Sequence, residues 1–457
     1  YPIGYDEKLN LVAAVQESIA ETRQQVLGAF GKATTRSSHV KERAKEVKDR
    51  PLKLQFTVLY KHINDVNHRL AWEKTLADMR RLLAHPEVKE SLSTHLGPQS
   101  VQAIHAMMTD IAASDMASRK WFDGLCEKLA GNASLSMMGF NIKTALTQPI
   151  GLTQTAVVIG YKATWDGMQT FYKGPKEIAE IAESKSKVMR TRALTWNQNV
   201  RYLRAKLSAT GSVIDNAAFV PMTFMQGAID TITWAGAYRK GLNEHMEEAD
   251  AIAYADQAVL TSQGGGQTKD LASAQRGKGV MRAFTAFYNY GNTTLGLAHS
   301  VAVREKTTKA DYARALNDYM LLTIIPTILL VELTAVINLA VGGDDDDDKS
   351  FIEKMGREGL ASMLGWFVGL REFASVAMGF DYQGPAGLRV IPALNKAAKQ
   401  VAQGENDTAL WRALNQFGGL AFGYSATQYQ RTAEGAAAIA EGETINPLVL
   451  LFGPPKD

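Results

Sequence analysis

Apolar positions along this chain recur at three- and four-residue steps, and long stretches lack the strict alternation of a half-buried strand. That spacing lines one face of a helix. Between residues 8 and 29, Leu9, Val12, Val15, Ile19, Val26 and Leu27 follow it, with polar residues between them, so this segment can bury one side. From Arg36 to Lys53 there are seven Lys or Arg against three Asp or Glu, the signature of a solvated mixed-charge helix that Pro51 kinks or ends. Residues 54–130 read as three or four helices, punctuated by His85-Pro86 and Gly97-Pro98.

The texture then changes. From Ser134 to Gly160 the residues are small, apolar and almost uncharged, a composition that demands burial against helices or lipid. A basic segment follows, with Lys185, Lys187, Arg190, Arg192, Arg201, Arg204 and Lys206 set against Glu183, and with Trp196 and Tyr202 interleaved. Such a stretch is a candidate surface for nucleic acid, because Lys and Arg neutralise phosphates and release counterions. A further apolar helix is expected over Val213 to Tyr238. After it an acidic helix leads to Gly264-Gly265-Gly266, which should end it.

Tyr319 to Val341 is 23 residues long and carries one charge, Glu332. That is spanning length. Its thirteen Leu, Ile and Val residues offer roughly −4 to −8 kcal/mol on insertion, against a few kcal/mol for a central acid. Insertion is therefore close to balanced. Two environments satisfy the segment, lipid or a protein core with Glu332 facing a polar interior, and Pro326 should kink it in either. Five aspartates, Asp344 to Asp348, come next, and Leu360 to Leu370 is apolar again, interrupted by Arg371-Glu372 before the apolar run continues to Phe380. The pattern is a hydrophobic helical hairpin with an acidic tip. Its lipid-contact candidates are Leu321, Leu322, Ile324, Ile325, Ile328, Leu329 and Leu330 on one arm, with Trp366 and Phe367 on the other. The tail, Asp381 to Asp457, alternates short helices with Gly and Pro loops and should wrap over the rest.

Composition sharpens the fold class. Only 13 prolines interrupt 457 residues, which favours an all-α protein, an extended multi-helix assembly with little or no sheet. Four regions are expected: helices to residue 130, a central helical region from 131 to 310, the hairpin from 311 to 380, and the tail from 381 to 457. Lys plus Arg is 50 against 47 for Asp plus Glu, too near balance for the whole surface to attract nucleic acid or membrane. The single cysteine, Cys126, excludes an intrachain disulfide. The chain opens on Tyr1-Pro2-Ile3-Gly4, so it is expected to be a piece of something longer.

Catalytic chemistry finds little purchase. No two of the eight histidines frame a glutamate at the helical metal-ligand spacing, and His62, Asp65 and His68 drift around a helix by about 60° at each step. Gly264 to Lys269 lacks the glycine directly before Lys-Ser/Thr that a phosphate loop needs. Cys126 has no fixed-spacing partner. No catalytic residue, metal site or cofactor is expected.

Three stretches carry a resemblance. They are Met138-Gly139-Phe140-Asn141 through Thr144 to Gly151, Asp270 to Gly277 with Met281 and the aromatic run Phe284 to Asn292, and the hydrophobic hairpin followed by Gly379 to Pro385. From about Ser134 onward the chain resembles the C-terminal part of the large internal virion, or DNA-ejection, proteins of short-tailed bacteriophages, related to the large polyvalent protein associated domains. The resemblance implies a structural protein stored in the capsid core above the portal, which crosses into the host envelope and reassembles as a DNA conduit. Its implied partners are copies of itself, other core and ejection proteins, the portal, phage DNA, and the host membrane after ejection. Family members often carry a murein-cleaving domain near the N-terminus, whose glutamate-serine motif is not evident in this chain. The alternatives are a peptidoglycan-cleaving or polymerase-associated virion enzyme, and a host helical membrane protein.

Overall fold

The computed structural model describes residues 56–113, 121–195, 217–265, 288–343, 389–402 and 408–455, together with isolated positions from 270 to 285. Of these residues 84% are helical and none lies in a strand, so the chain is an all-α, multi-helix protein. It forms two compact units, Tyr1–Ala117 and Ser118–Asp457.

In the first unit, α1 (Phe56–Ala84), α2 (Pro86–Leu96) and α3 (Ser100–Ala113) surround Leu76, Leu83, Met108, Ile111 and Ala112. Both turn signals read from the sequence act as punctuation. Pro86 occupies the first position of α2, where a missing N–H leaves no bond unmade, and Gly97 ends the helix at φ 91°.

The second unit is built around α10 (Val220–Asn243), in which nine consecutive residues, 229–237, are buried. Nine residues make two and a half turns, so the helix is enclosed on all sides. Its neighbours are α5 (Ile142–Thr147), the 3₁₀ turn Gln148–Gly151, α6 (Leu152–Ile159), α7 (Tyr161–Lys173), α8 (Pro175–Lys185), α9 (Lys187–Thr195) and α11 (Glu248–Gln263). α7 crosses α10 in close backbone contact at Gly167 and Gly236. A Cβ on Gly236 would fall on the Ala163 carbonyl, and one on Gly167 would fall on the Ile232 carbonyl oxygen.

The small-residue stretch from Ser134 to Gly160 is buried in part: residues 134–136 and 153–157 are enclosed, most others are half-buried, and Phe140 and Leu146 are exposed, while buried polar atoms within it are paired. The hydroxyls of Thr155 and Thr233 lie 2.7 Å apart, the Gln263 amide donates to Thr155 at 2.9 Å, and Gln154 donates to Thr294 at 2.6 Å.

The C-terminal helices pack back onto α4 (Trp121–Met138) and α5. They are α15 (Val390–Ala402), α16 (Thr408–Gly418), the π turn Gly419–Gly423, α17 (Ala426–Ala440) and α18 (Val449–Phe452). Asn132 on α4 donates to the Leu420 and Ala421 carbonyls in the π turn at 3.1 and 2.9 Å. Asn141 does three things at once: it accepts from Thr144 N–H as the N-cap of α5, donates to the Met137 carbonyl at 2.8 Å, and accepts from Arg431 at 2.7 Å. Burial already pushes the Arg431 guanidinium below its ordinary pKa. Asn141→Ala should therefore remove a cap and strand a desolvated cation, costing about 2 to 4 kcal/mol. Urea titration of the full chain measures it; a shift below about 0.5 kcal/mol would contradict the geometry.

Candidate membrane-contact helix and basic segment

Two further helices bear on function: α13 (Lys309–Leu322) and α14 (Ile324–Ala340), preceded by α12 (Asn289–Val303). The continuous apolar segment read from the sequence is interrupted at Thr323, whose φ and ψ are −124° and −66°. The interruption lies three residues before Pro326. A proline ring clashes with the carbonyl four residues upstream, here Leu322, so the helix yields there and restarts with Pro326 in its first turn.

The break separates two environments. Leu321 and Leu322, both named as lipid-contact candidates, are buried with Ala156, Val157, Leu297 and Val301, Leu322 being only 1% exposed. They belong to the protein's own core. Beyond the break, Ile324, Leu329 and Leu330 are exposed, and Ile325 and Ile328 are partly covered. Val336 and Leu339, which were not singled out, are more open still, Val336 at 58%. Trp366, Phe367 and the acidic tip lie outside the described residues.

Only Pro326, Thr327 and Ile337 of α14 are buried. The helix rests on the 3₁₀ turn at Gln148–Gly151, and its last carbonyl, Ala340, accepts from the Asn446 amide at 2.6 Å. By length and composition the stretch Lys309–Ala340 can cross a membrane, yet only 28% of its most apolar window is buried. A core helix of that hydropathy would be covered. An apolar surface of this extent on a folded body marks an interaction face.

The basic segment resolves differently from its sequence. Arg192 turns inward, away from the surface expected for it, with a side chain 5% exposed. Its Nε donates to Asp230 at 2.5 Å, Nη1 to the Gly264 carbonyl at 2.6 Å and Nη2 to the Gln263 carbonyl at 3.3 Å, while Gln226 donates to the other Asp230 oxygen at 2.9 Å. The guanidinium thus caps the C-terminal end of α11, where a cation suits the helix dipole, and neutralises a buried acid. Arg190 donates to the Glu183 and Ser184 carbonyls at the end of α8. Lys185 pairs with Glu248 and lies over the Tyr238 ring. Hydrogen bonds donated to Glu248 and then to Tyr238 hold the Lys185 ammonium above its ordinary pKa, and Lys185 in turn holds Glu248 below the usual carboxylate value. Being exposed, the pair adds little stability. Lys187 is exposed. Arg201, Arg204 and Lys206 lie outside the described residues.

No family model, curated protein or solved structure matches the chain. Function has to be argued from the site. Among the described residues, no three His, Cys, Asp or Glu side chains gather where they could hold a metal ion. His68 lies partly buried on α1, the side chains of His62 and Asp65 are outside the described residues, and Cys126 is buried. The arrangement with a chemical consequence is the exposed apolar α14.

Proposed function

We propose that this chain is part of a phage internal virion protein with a structural role. It is packed in the capsid core against copies of itself, other core proteins and the portal, and after ejection contributes to a DNA-translocation conduit across the host envelope. The observation that carries this reading is α14, a helix of strongly apolar composition that is nonetheless largely uncovered. The resemblance of Met138 to Gly151 and of the aromatic run to ejection proteins supports the same reading. In the virion, neighbouring copies cover α14; in the envelope, lipid does.

Length sets the conditions. Seventeen residues rise about 26 Å, slightly short of a hydrocarbon core of about 30 Å. A full crossing therefore draws the Leu321–Leu322 end of α13 out of the core or thins the bilayer. Either demand makes insertion conditional on the surroundings, as a protein that is first stored and then deployed requires.

Flotation of the full chain with vesicles of phosphatidylethanolamine and phosphatidylglycerol tests the reading. Binding is expected at about pH 7.5 and at about pH 5, since the exposed apolar side chains of α14 do not titrate. Replacing Leu329, Leu330, Val336 and Leu339 by glutamine should reduce binding at least about tenfold, since each apolar side chain contributes about 0.3 to 0.6 kcal/mol and each polar replacement opposes insertion. These side chains are on the surface, so the circular dichroism spectrum should not change. A chain that stays free of lipid at both pH values overturns the proposal.

A further inference from the structure

A second exposed apolar surface lies on α7. Tyr161, Trp165, Met168 and Tyr172 follow one another at steps of four, three and four residues, which at 100° per residue confines them to an arc of about 60°. All four are exposed, Tyr172 at 88%. The opposite side of the helix, Ala163, Thr164 and Gly167, is buried against α10, and the glycine-to-backbone approach at that crossing fixes α7 in rotation. The aromatic stripe therefore faces outward by construction.

The stripe has a distinctive chemistry. Its large residues are tyrosine, tryptophan and methionine, with no Leu, Ile or Val among them. Amphipathic rings of that kind favour the headgroup level of a bilayer. Along one flank run Lys162, Gln169 and Lys173, all exposed, with one acid, Asp166, beyond them. Lysines beside an apolar stripe reach up to anionic headgroups while their stems stay against the surface. The Tyr161 hydroxyl donates to Asn317 of α13 at 2.8 Å, which places this end of the stripe beside the helix that leads into α14.

We infer that the α7 stripe is a docking surface for the headgroup layer of an anionic bilayer, lying flat on the membrane beside the point where α14 meets it. The inference rests on the proposed membrane role and adds where the body sits. A second copy of the chain suits the stripe less well, since two-fold pairing of α7 on itself would bring Lys162 of one copy towards Lys173 of the other.

The test uses the full chain carrying Tyr172→Cys, labelled with an environment-sensitive fluorophore. Cys126, the only native cysteine, is buried and should not compete. A parallel sample carries Leu330→Cys on α14. With phosphatidylglycerol-containing vesicles the label at 172 should brighten several-fold and shift to the blue. Quenchers placed at headgroup depth should act on it more strongly than quenchers deep in the acyl chains. Trp165→Ser combined with Tyr172→Ser should weaken vesicle binding several-fold without altering the helical spectrum. A silent label at 172 with a responsive label at 330 overturns the docking surface and leaves the proposed function standing. Silence at both positions overturns both. A response at 172 that depends on protein concentration and needs no vesicles overturns the lipid assignment in favour of a second copy.

Discussion

Replacing Asp230 by alanine should destabilise the larger unit by about 3 to 5 kcal/mol, enough to unfold a chain of ordinary stability. The Arg192 guanidinium would remain buried beside the Gln263 and Gly264 carbonyls with no counter-charge. Leaving one charge of a buried pair costs far more than removing both, because the survivor keeps its desolvation penalty and loses its Coulomb partner. The double variant Arg192→Leu with Asp230→Leu should accordingly be closer to the parent than either single change. Arg192→Lys should not rescue, since an ammonium cannot reach the carboxylate and two carbonyls in the fork geometry the guanidinium uses. Urea midpoints of the parent, Arg192→Leu, Asp230→Leu and the double variant form the cycle. If Asp230→Ala shifts stability by less than about 1 kcal/mol, the ion pair is not holding α9, α10 and the end of α11 together.

The second large effect turns on two glycines in one helix. Gly236→Ala should cost about 2 to 3 kcal/mol, whereas Gly227→Ala should stabilise by about 0.5 to 1 kcal/mol. Intrinsic propensity favours alanine equally at both positions of α10, so the difference in sign comes from packing. At Gly227 an added methyl meets nothing within 4 Å; at Gly236 it lies 3.0 Å from the Ala163 carbonyl carbon and closer to the oxygen. A backbone carbonyl cannot rotate aside as a side chain can, so α7 must back away along its length. Thermal melts of both variants settle the matter, and equal signs would show that the two helices are not in close backbone contact.

The fold class was legible because helix formers and three- to four-residue spacing agree along nearly the whole chain. Local punctuation was legible for the same reason: Pro86 and Gly97 act through their own backbone chemistry and need no partner. Composition alone marked residues 134–160 for burial, which holds for 134–136 and 153–157 but not for Phe140 and Leu146, since composition does not say which side of a helix is packed. The fate of Arg192 did not, because its partner Asp230 lies 38 residues away and nothing local distinguishes a buried arginine from a solvated one in a basic run. Pro326 announced a break, but the carbonyl that must give way stands four residues earlier, which moved the break to Thr323. The outward face of α7 was equally hidden. Its aromatic residues fall at helical spacing, which suits a packed or an open face equally, and only the glycines across the helix reveal which side is packed.

The order in which this chain is synthesised matters for how it can fold. Asn132 pairs with the π turn 288 and 289 residues downstream, and Asn141 pairs with Arg431 over 290 residues. Until residues beyond 431 have emerged, α4 and α5 lack the partners for their buried amides and for the surface that Leu420 and Ala393 cover. At about 5 to 20 residues per second, translation leaves these helices waiting for roughly 15 to 60 seconds. During that interval their apolar faces are open to chaperones or to a neighbouring nascent chain. Closure over so long a sequence separation is also intrinsically slow. A chain halted before Arg389 should therefore be caught in a sticky, incompletely closed state, while the three-helix unit at residues 56–113 has long since found its own contacts.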